Sequence, residues 1–321
     1  MPEFCRVGVP APAVPLGKSV GEYTHPTPVA RRCLEQEIKR MPFQMVLTAS
    51  VNPKGMYVKV ADSQIRLQQY LRAVTALLET ANSIVDGITL IENTGADLSP
   101  FHDLAAKNNK YGKKVEFLGL NLNDYPLEYG IGYGEFRLLD AGIQQSKLIG
   151  PETSLVKLTG RLIVRNLVSI LSRIPTGMDM VADMKAYKDP SDGWVESRLM
   201  VISQSFYMSK MIGMYQQVNG AKGVAAEHCL YQVVRKSPGA KIIPRLPREP
   251  QWVGYSGSTG MRYDSLSMRL RHPPRIMRRV WRQLLNQPNL ETVWKTNGTS
   301  EVGVRHAPLF PPPGVPGGGV G

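Results

Sequence analysis

The chain has 321 residues, 42% of them hydrophobic, with 39 Lys or Arg against 26 Asp or Glu and a net charge of +13. That is enough apolar material for one large or two ordinary domains, and no run approaches the ~18 to 20 consecutive apolar residues that cross a bilayer. The three thiols, Cys5, Cys33 and Cys229, are far apart with no CxxC pair, which argues against both a disulfide framework and a thiolate zinc site.

Residues 1–42 hold seven of the 25 prolines and read as a flexible arm. The start lacks the basic and then apolar layout of a signal peptide, so the expected address is cytoplasmic. Within the arm, Gly17-Lys18-Ser19 resembles the end of a phosphate loop, but Pro12 stands where the first glycine is required and no strand precedes it.

From residue 43 the pattern changes to alternating strand and helix. Phe43–Val51 is an apolar strand, and Asp62–Ala81 carries Ile65, Leu67, Leu71, Val74, Leu77 and Leu78 at helical spacing. Asp86–Asn93 predicts a second strand, Ser99–Asn108 a second helix capped by Ser99 ahead of Pro100, and Val115–Leu120 a third strand. This order implies a mostly parallel sheet of the Rossmann type with helices on both faces. Helix 134–148, strand 154–158, helix 162–173, extended segments near 178–187 and 195–203, and helices Phe206–Val218 and Ala225–Arg235 continue the α/β mixture.

Ligands of open parallel sheets bind beyond the carboxyl ends of strands. The residues there are Ser50 and Asn52, Glu92 and Asn93, Asn121–Asp124, and Thr159–Arg161, all polar groups. Two neighbouring stretches stand out. Tyr129-Gly-Ile-Gly-Tyr-Gly-Glu135 has glycines at 130, 132 and 134, whose bare backbone suits close approach to a ligand, with the flat faces of Tyr129 and Tyr133 beside them. It is not a GxGxxG, because Glu135 fills the last required place. Ser154–Arg161 ends a strand by presenting Lys157, Thr159 and Arg161 around the turn residue Gly160. Cations next to a glycine-rich helix entrance suit a phosphate, although an ordinary tight loop and a surface arginine produce the same letters.

From about residue 240 eleven more prolines appear, and the chain ends in a Pro/Gly run that predicts disorder. From Lys241 onward 12 Lys or Arg face 4 Asp or Glu, a surplus of 8 that leaves +5 for the rest of the chain. The domain plan is therefore an arm over 1–42, a folded unit over 43–239 and a basic extension over 240–321. Arg275–Leu285 sets Ile276, Val280 and Leu284 on one stripe with four arginines largely elsewhere, an amphipathic helix over about 274–286 that would either dock on the domain or rest on an anionic inner leaflet.

Taken in order, Ile91-Glu92-Asn93, Lys113–Phe117, the Tyr129–Glu135 stretch, Lys157-x-Thr-Gly-Arg161 with Asn166, Glu196-Ser-Arg198 and Glu227-His228 resemble bacterial glycosyltransferases of capsule, lipopolysaccharide and O-antigen biosynthesis over residues 45–236. The resemblance implies a GT-A-like fold, a nucleotide-sugar donor and a glycan or lipid-linked glycan acceptor. It places the donor among Glu92, Asn93, Tyr129, Gly130, Gly132, Tyr133, Gly134, Lys157, Thr159, Gly160, Arg161 and Arg198. Base candidates are Glu135, Asp183, Glu196 and Glu227. Many GT-A enzymes hold a divalent metal with an Asp-x-Asp pair. No such pair occurs here, so metal dependence stays open. Competing expectations are a nucleic-acid-binding protein acting through the basic extension, which the uneven charge distribution disfavours, and a catalytically silent sugar-nucleotide-binding relative.

Overall fold

A computed structural model describes residues 42–265, apart from 54–57, 81–83, 188, 190 and 258. The predicted arm, the phosphate-loop near miss, Cys5, Cys33 and the 274–286 helix lie outside the described residues.

The first half follows the apolar runs. Strand β1 (Phe43–Ala49), helix α1 (Ser63–Leu78), strand β2 (Val85–Glu92), helix α2 (Ser99–Asn108) and strand β3 (Lys114–Gly119) alternate as expected. Asp62 caps α1 by accepting the Ile65 N–H at 2.8 Å. Ser99 is not the cap of α2: Leu98 holds that place, and the Ser99 hydroxyl instead donates to Asp97 at 2.5 Å. Helix α3 (Ile131–Gln145) and strand β4 (Ser154–Thr159) come next, and β4 returns to pair with β1 on the side opposite β2.

The predicted helix 162–173 is mostly absent. Ile163–Val164 form a short strand, β5, and only Leu167–Leu171 are helical, as α4. The long strands β6 (Met180–Ala186) and β7 (Gly193–Ser203) bear out the extended segments, whereas Phe206–Val218 is not one helix. A π turn at Tyr207–Met211 and a tight turn of helix at Met214–Gln217 replace it, pinned by buried Asp140, which accepts the Tyr207 hydroxyl at 2.5 Å and the Gly213 N–H at 2.7 Å. Helix α5 spans Ala226–Arg235.

The seven strands run in the order β3-β2-β1-β4-β7-β6-β8, parallel from β3 through β4, with β7 antiparallel to both its neighbours. The last strand, β8 (Ile242–Ile243), pairs parallel with β6, and β9 (Trp252–Val253) pairs with β5. Both lie past the boundary at 239 expected from composition, so the sheet is completed by chain assigned to the extension.

Side chains alternate across β1. Met45, Leu47 and Ala49 join Tyr70, Val74, Leu77 and Leu78 of α1, Phe101 of α2 and Ile170 of α4 in one core. On the opposite face Val46 joins Phe136, Leu139 and Ile143 of α3 and Cys229, Leu230 and Val234 of α5 in another. Each fully buried aliphatic or aromatic side chain contributes about 1.5–3 kcal/mol, so two filled faces hold the strand ends in register.

Candidate functional site

Strands β1, β2 and β3 step outward in one direction while β4 lies on the other side of β1, so the strand order reverses between β1 and β4. A crevice opens at such a reversal beyond the carboxyl ends of the two strands. The strands approach closely there: the Gly160 N–H donates to the Thr48 carbonyl at 3.1 Å, and a Cβ on Gly160 would sit 2.7 Å from that oxygen. Thr159 ends β4 opposite Thr48.

Two guanidinium groups reach this end of the sheet. Arg66 of α1 is buried and donates to the Ser50 carbonyl (2.5 Å), the Val60 carbonyl (3.1 Å) and the Tyr70 hydroxyl (3.0 Å), while that hydroxyl accepts the Ser50 N–H at 2.8 Å. Burial, offset in part by Tyr70 and reinforced by the charge of nearby Arg161, holds the Arg66 guanidinium below its usual range. Arg161 donates to the Tyr255 carbonyl at 3.1 Å and to Gln69 Oε1 at 3.5 Å. Both cations thus meet neutral oxygens. Arg66 and Tyr70, four residues apart on one face of α1, escaped the sequence reading; the only signal was a charged residue interrupting an apolar stripe.

Glu135 sits in α3 close to its start and reaches across the sheet end, where its Oε1 accepts from the Thr48 hydroxyl at 2.9 Å and from Lys157 Nζ at 2.6 Å. Lys157 is 1% exposed, and the same ammonium donates to the Ser197 carbonyl at 2.6 Å. The Ser197 hydroxyl in turn donates to Glu227 Oε1 at 2.7 Å. A connected polar chain, Thr48–Glu135–Lys157–Ser197–Glu227, therefore crosses from β1 through β4 and β7 to the first turn of α5. The two stretches singled out in the sequence meet in it. Lys157 lies beneath the site with its charge committed to Glu135, a place from which it does not face a ligand phosphate.

The carboxyl groups of this chain are tuned in opposite directions. Burial pushes the Glu135 carboxyl up, but the Lys157 ammonium and the Thr48 hydroxyl outweigh it and hold the group below the ordinary glutamate range. Burial pushes Glu227 up, the Ser197 hydroxyl only partly offsets it, and the charges of Glu135 and Glu196 add to the rise.

Other sequence candidates have structural duties. Glu92, fully buried, accepts the backbone N–H groups of Val51 (3.0 Å), Thr94 (2.8 Å) and Ala96 (3.1 Å) and the Thr94 hydroxyl, so it organises the β1 and β2 ends rather than facing a nucleotide. Asn93, beside it, is 5% exposed with its Oδ1 unpartnered among the described residues. Asp183, on β6 beside the β7 strand that carries Glu196, accepts the Leu246 N–H at 3.0 Å. Glu196 takes Arg198 in a two-bonded pair (2.7 and 2.6 Å), and the Arg198 guanidinium also lies against the rings of Trp252 and Tyr263, 4.9 and 5.0 Å from their centres. Arg198 is thereby engaged on three sides and serves as the anchor of a strap, residues 246–265, that crosses the carboxyl end of the sheet. Asn166 fastens the same strap at the Glu249 carbonyl (2.9 Å) and the Gln251 N–H (2.8 Å), and Gly257 accepts the Lys59 N–H at 3.0 Å.

The glycines of the Tyr129–Glu135 stretch admit protein. A Cβ on Gly132 would lie 2.8 Å from the Ala226 Cβ, and one on Gly134 would lie 2.3 Å from the Tyr125 hydroxyl and 2.4 Å from its ring. Gly130 takes φ +83° with the Gly220 Cα beside it. Tyr129 and Tyr133 stack 4.9 Å apart.

Among the described residues no strand end carries two carboxylates suited to a divalent ion. Among the described residues no group of three or more His, Cys, Asp or Glu is placed to hold a metal. The reversal between β1 and β4 has Thr159, Gly160 and Arg161 at the end of β4 instead, a cationic donor set that does not fit one.

No protein-family model matches the chain, and no curated protein matches it. Among solved structures it shows loose likenesses to the glycosyltransferase GlyE of Streptococcus pneumoniae TIGR4 (10% identity, TM-score 0.42, covering 64% of this chain and 45% of that one). A galactosyltransferase, LgtC, in complex with donor and acceptor sugar analogues gives 13% identity, a TM-score of 0.39 and coverages of 60% and 70%. GalNAc-T7 with UDP, GalNAc and Mn2+ gives 12%, 0.43, 71% and 46%. The chain spans less than half the length of GlyE and of GalNAc-T7. Among the described residues no helix is long and apolar enough to cross a membrane.

Proposed function

We propose that the chain is a glycosyltransferase that moves a sugar from a nucleotide-sugar donor onto a cell-surface polysaccharide or lipopolysaccharide intermediate. The observation that carries this reading is the reversal of strand order between β1 and β4, beyond which Arg161 donates to the neutral oxygens of Tyr255 and Gln69 while Glu135, on α3, is held as a carboxylate by the buried Lys157 and by the charge of Arg161.

In this reading the acceptor oxygen bonds to the anomeric carbon as the bond from that carbon to the phosphate of the leaving nucleotide breaks. Arg161 takes the developing phosphate charge through fixed N–H donors, which need little reorganisation. Glu135 stabilises the positive charge that builds on the sugar ring. Glu227, whose raised pKa brings it nearer to neutral pH, receives the proton of the acceptor hydroxyl. No step runs through a metal, because the donor set does not fit one.

A thermal-shift series on the full chain tests the proposal, using UDP-, GDP-, CMP- and dTDP-sugars with Mg2+, Mn2+ or EDTA. One donor class is expected to raise the melting temperature, the stabilisation reaching about 2.7 kcal/mol at a hundredfold excess over Kd, and to do so equally in EDTA. Absence of any shift across the series would overturn the reading.

A further inference from the structure

The glycine-rich stretch leaves one feature that the proposed transfer does not use. Tyr133 is the hub of a ring cluster: its centre lies 5.3 Å from Tyr125, 4.9 Å from Tyr129 and 5.0 Å from Tyr215. All four tyrosines are half-buried, and the same stretch of chain carries Leu127, 45% exposed, and Ile131, 47% exposed. The glycines make the cluster possible, since Gly134 leaves room for the Tyr125 ring to lie against the first turn of α3 and Gly132 lets that turn approach Ala226. Tyr125 is continuous with the site, because its ring covers the residue before Glu135, and the charge of Glu135 adds to burial in raising its phenol.

The rim of this patch is electrically balanced. Asp124 and Arg137 are paired at 2.7 Å, and exposed Glu128, whose backbone carbonyl lies beside Gly220, and exposed Lys222 add one charge of each sign. A surface of this kind offers little to a polyanion or an anionic bilayer, which need an excess of cations. It does match a pyranose ring, which has one face of C–H groups and an edge of hydroxyls, because tyrosine combines a flat apolar face with a polar tip at small entropic cost. We propose that Tyr125, Tyr129, Tyr133 and Tyr215, with Leu127 and Ile131, form a platform on which a pyranose unit of the acceptor glycan rests beside Glu135. Its assignment to the acceptor rests on the transferase reading above.

Saturation-transfer NMR on the full chain, without nucleotide, tests the platform with methyl β-D-galactopyranoside, methyl α-D-glucopyranoside, methyl N-acetyl-β-D-glucosaminide and lactose. Saturation of the aromatic resonances is expected to reach ring protons of at least one glycoside. Tyr129→Ala lowers that transfer about fivefold, in line with the worth of one aromatic contact, in a chain that melting shows is still folded, while Tyr129→Phe keeps most of it. Transfer to none of the four, or transfer unaltered in both Tyr129→Ala and Ile131→Asp, overturns the proposal. So does a dimer in sedimentation velocity that Ile131→Asp dissociates, which would assign the patch to a second copy of the chain. A nucleotide sugar that binds a chain blind to all four glycosides removes the platform alone; glycosides that bind while no donor does remove the transferase reading alone.

Discussion

Residues 130–134 and 157–161 carry the same kind of sequence signal and do different physical work. Both combine glycine with residues that suit a ligand, yet the glycines at 130, 132 and 134 admit Gly220, Ala226 and Tyr125, whereas Gly160 brings β4 against β1 and is followed by Arg161, whose guanidinium meets the Tyr255 carbonyl. A missing Cβ records only that something comes close. Whether that something is a ligand or another part of the chain depends on which segments the topology places opposite, and the strand order decides it here.

The sharpest break of this contrast is Lys157→Met. Removing the ammonium leaves the Glu135 carboxylate and the Ser197 carbonyl without their partner, an effect of about 3 kcal/mol once the partial exposure of Glu135 is allowed for. Urea unfolding measures it, and the double change Lys157→Met with Glu135→Gln is expected to recover part of the loss. A Lys157 that faced ligand instead would leave stability unmoved.

Gly134→Ala comes next. Its methyl group would meet the Tyr125 ring at 2.4 Å, so the ring must swing away, costing about 2 kcal/mol and changing the near-ultraviolet dichroism of the tyrosines. If the loop cradled phosphate, the same substitution would weaken donor binding and leave the melting temperature alone. Arg161→Ala is expected to invert that pattern, with little effect on unfolding but about a tenfold loss of donor affinity, equivalent to ~1.4 kcal/mol, in the thermal-shift titration.

The smallest effect belongs to Glu227. Its folded pKa lies above the ordinary range, so the unfolded chain releases the proton first and stability falls as pH rises through the folded value. Glu227→Gln should flatten that decline, by less than about 1 kcal/mol, in unfolding curves measured from pH 4 to 8. Glu135 runs the other way: its depressed pKa gives stability present above the ordinary range and lost as pH falls through the folded value, and Glu135→Gln should flatten the acid side.

Local pattern was enough for β1, β2, β3, β6, β7 and most helices, because apolar runs and helical stripes fix an element whatever it packs against. It failed where a distant partner decides. Ile163 and Val164 fit a helical pattern until Trp252 and Val253, some ninety residues later, pair with them. Prolines from 240 onward suggested loose chain, yet two isoleucines suffice to add a strand when β6 offers an open edge. In the site, Glu135, Lys157 and Glu227 stand out in the sequence but their connection through Ser197 does not, since no spacing in the sequence encodes a contact among three strands and two helices. Arg66 was passed over because charged residues within helices ordinarily face water.

The lateness of β8 and the strap has a consequence for how the molecule is made. A nascent polypeptide of 239 residues has β6 as an unpaired border until Ile242 and Ile243 emerge, and Arg198 lacks both aromatic contacts until Trp252 and Tyr263 follow. Until then the bare border is a template for edge-to-edge aggregation. Shortening the gene at that point would thus be expected to yield inclusion bodies, whereas a stop after residue 265 keeps the seal.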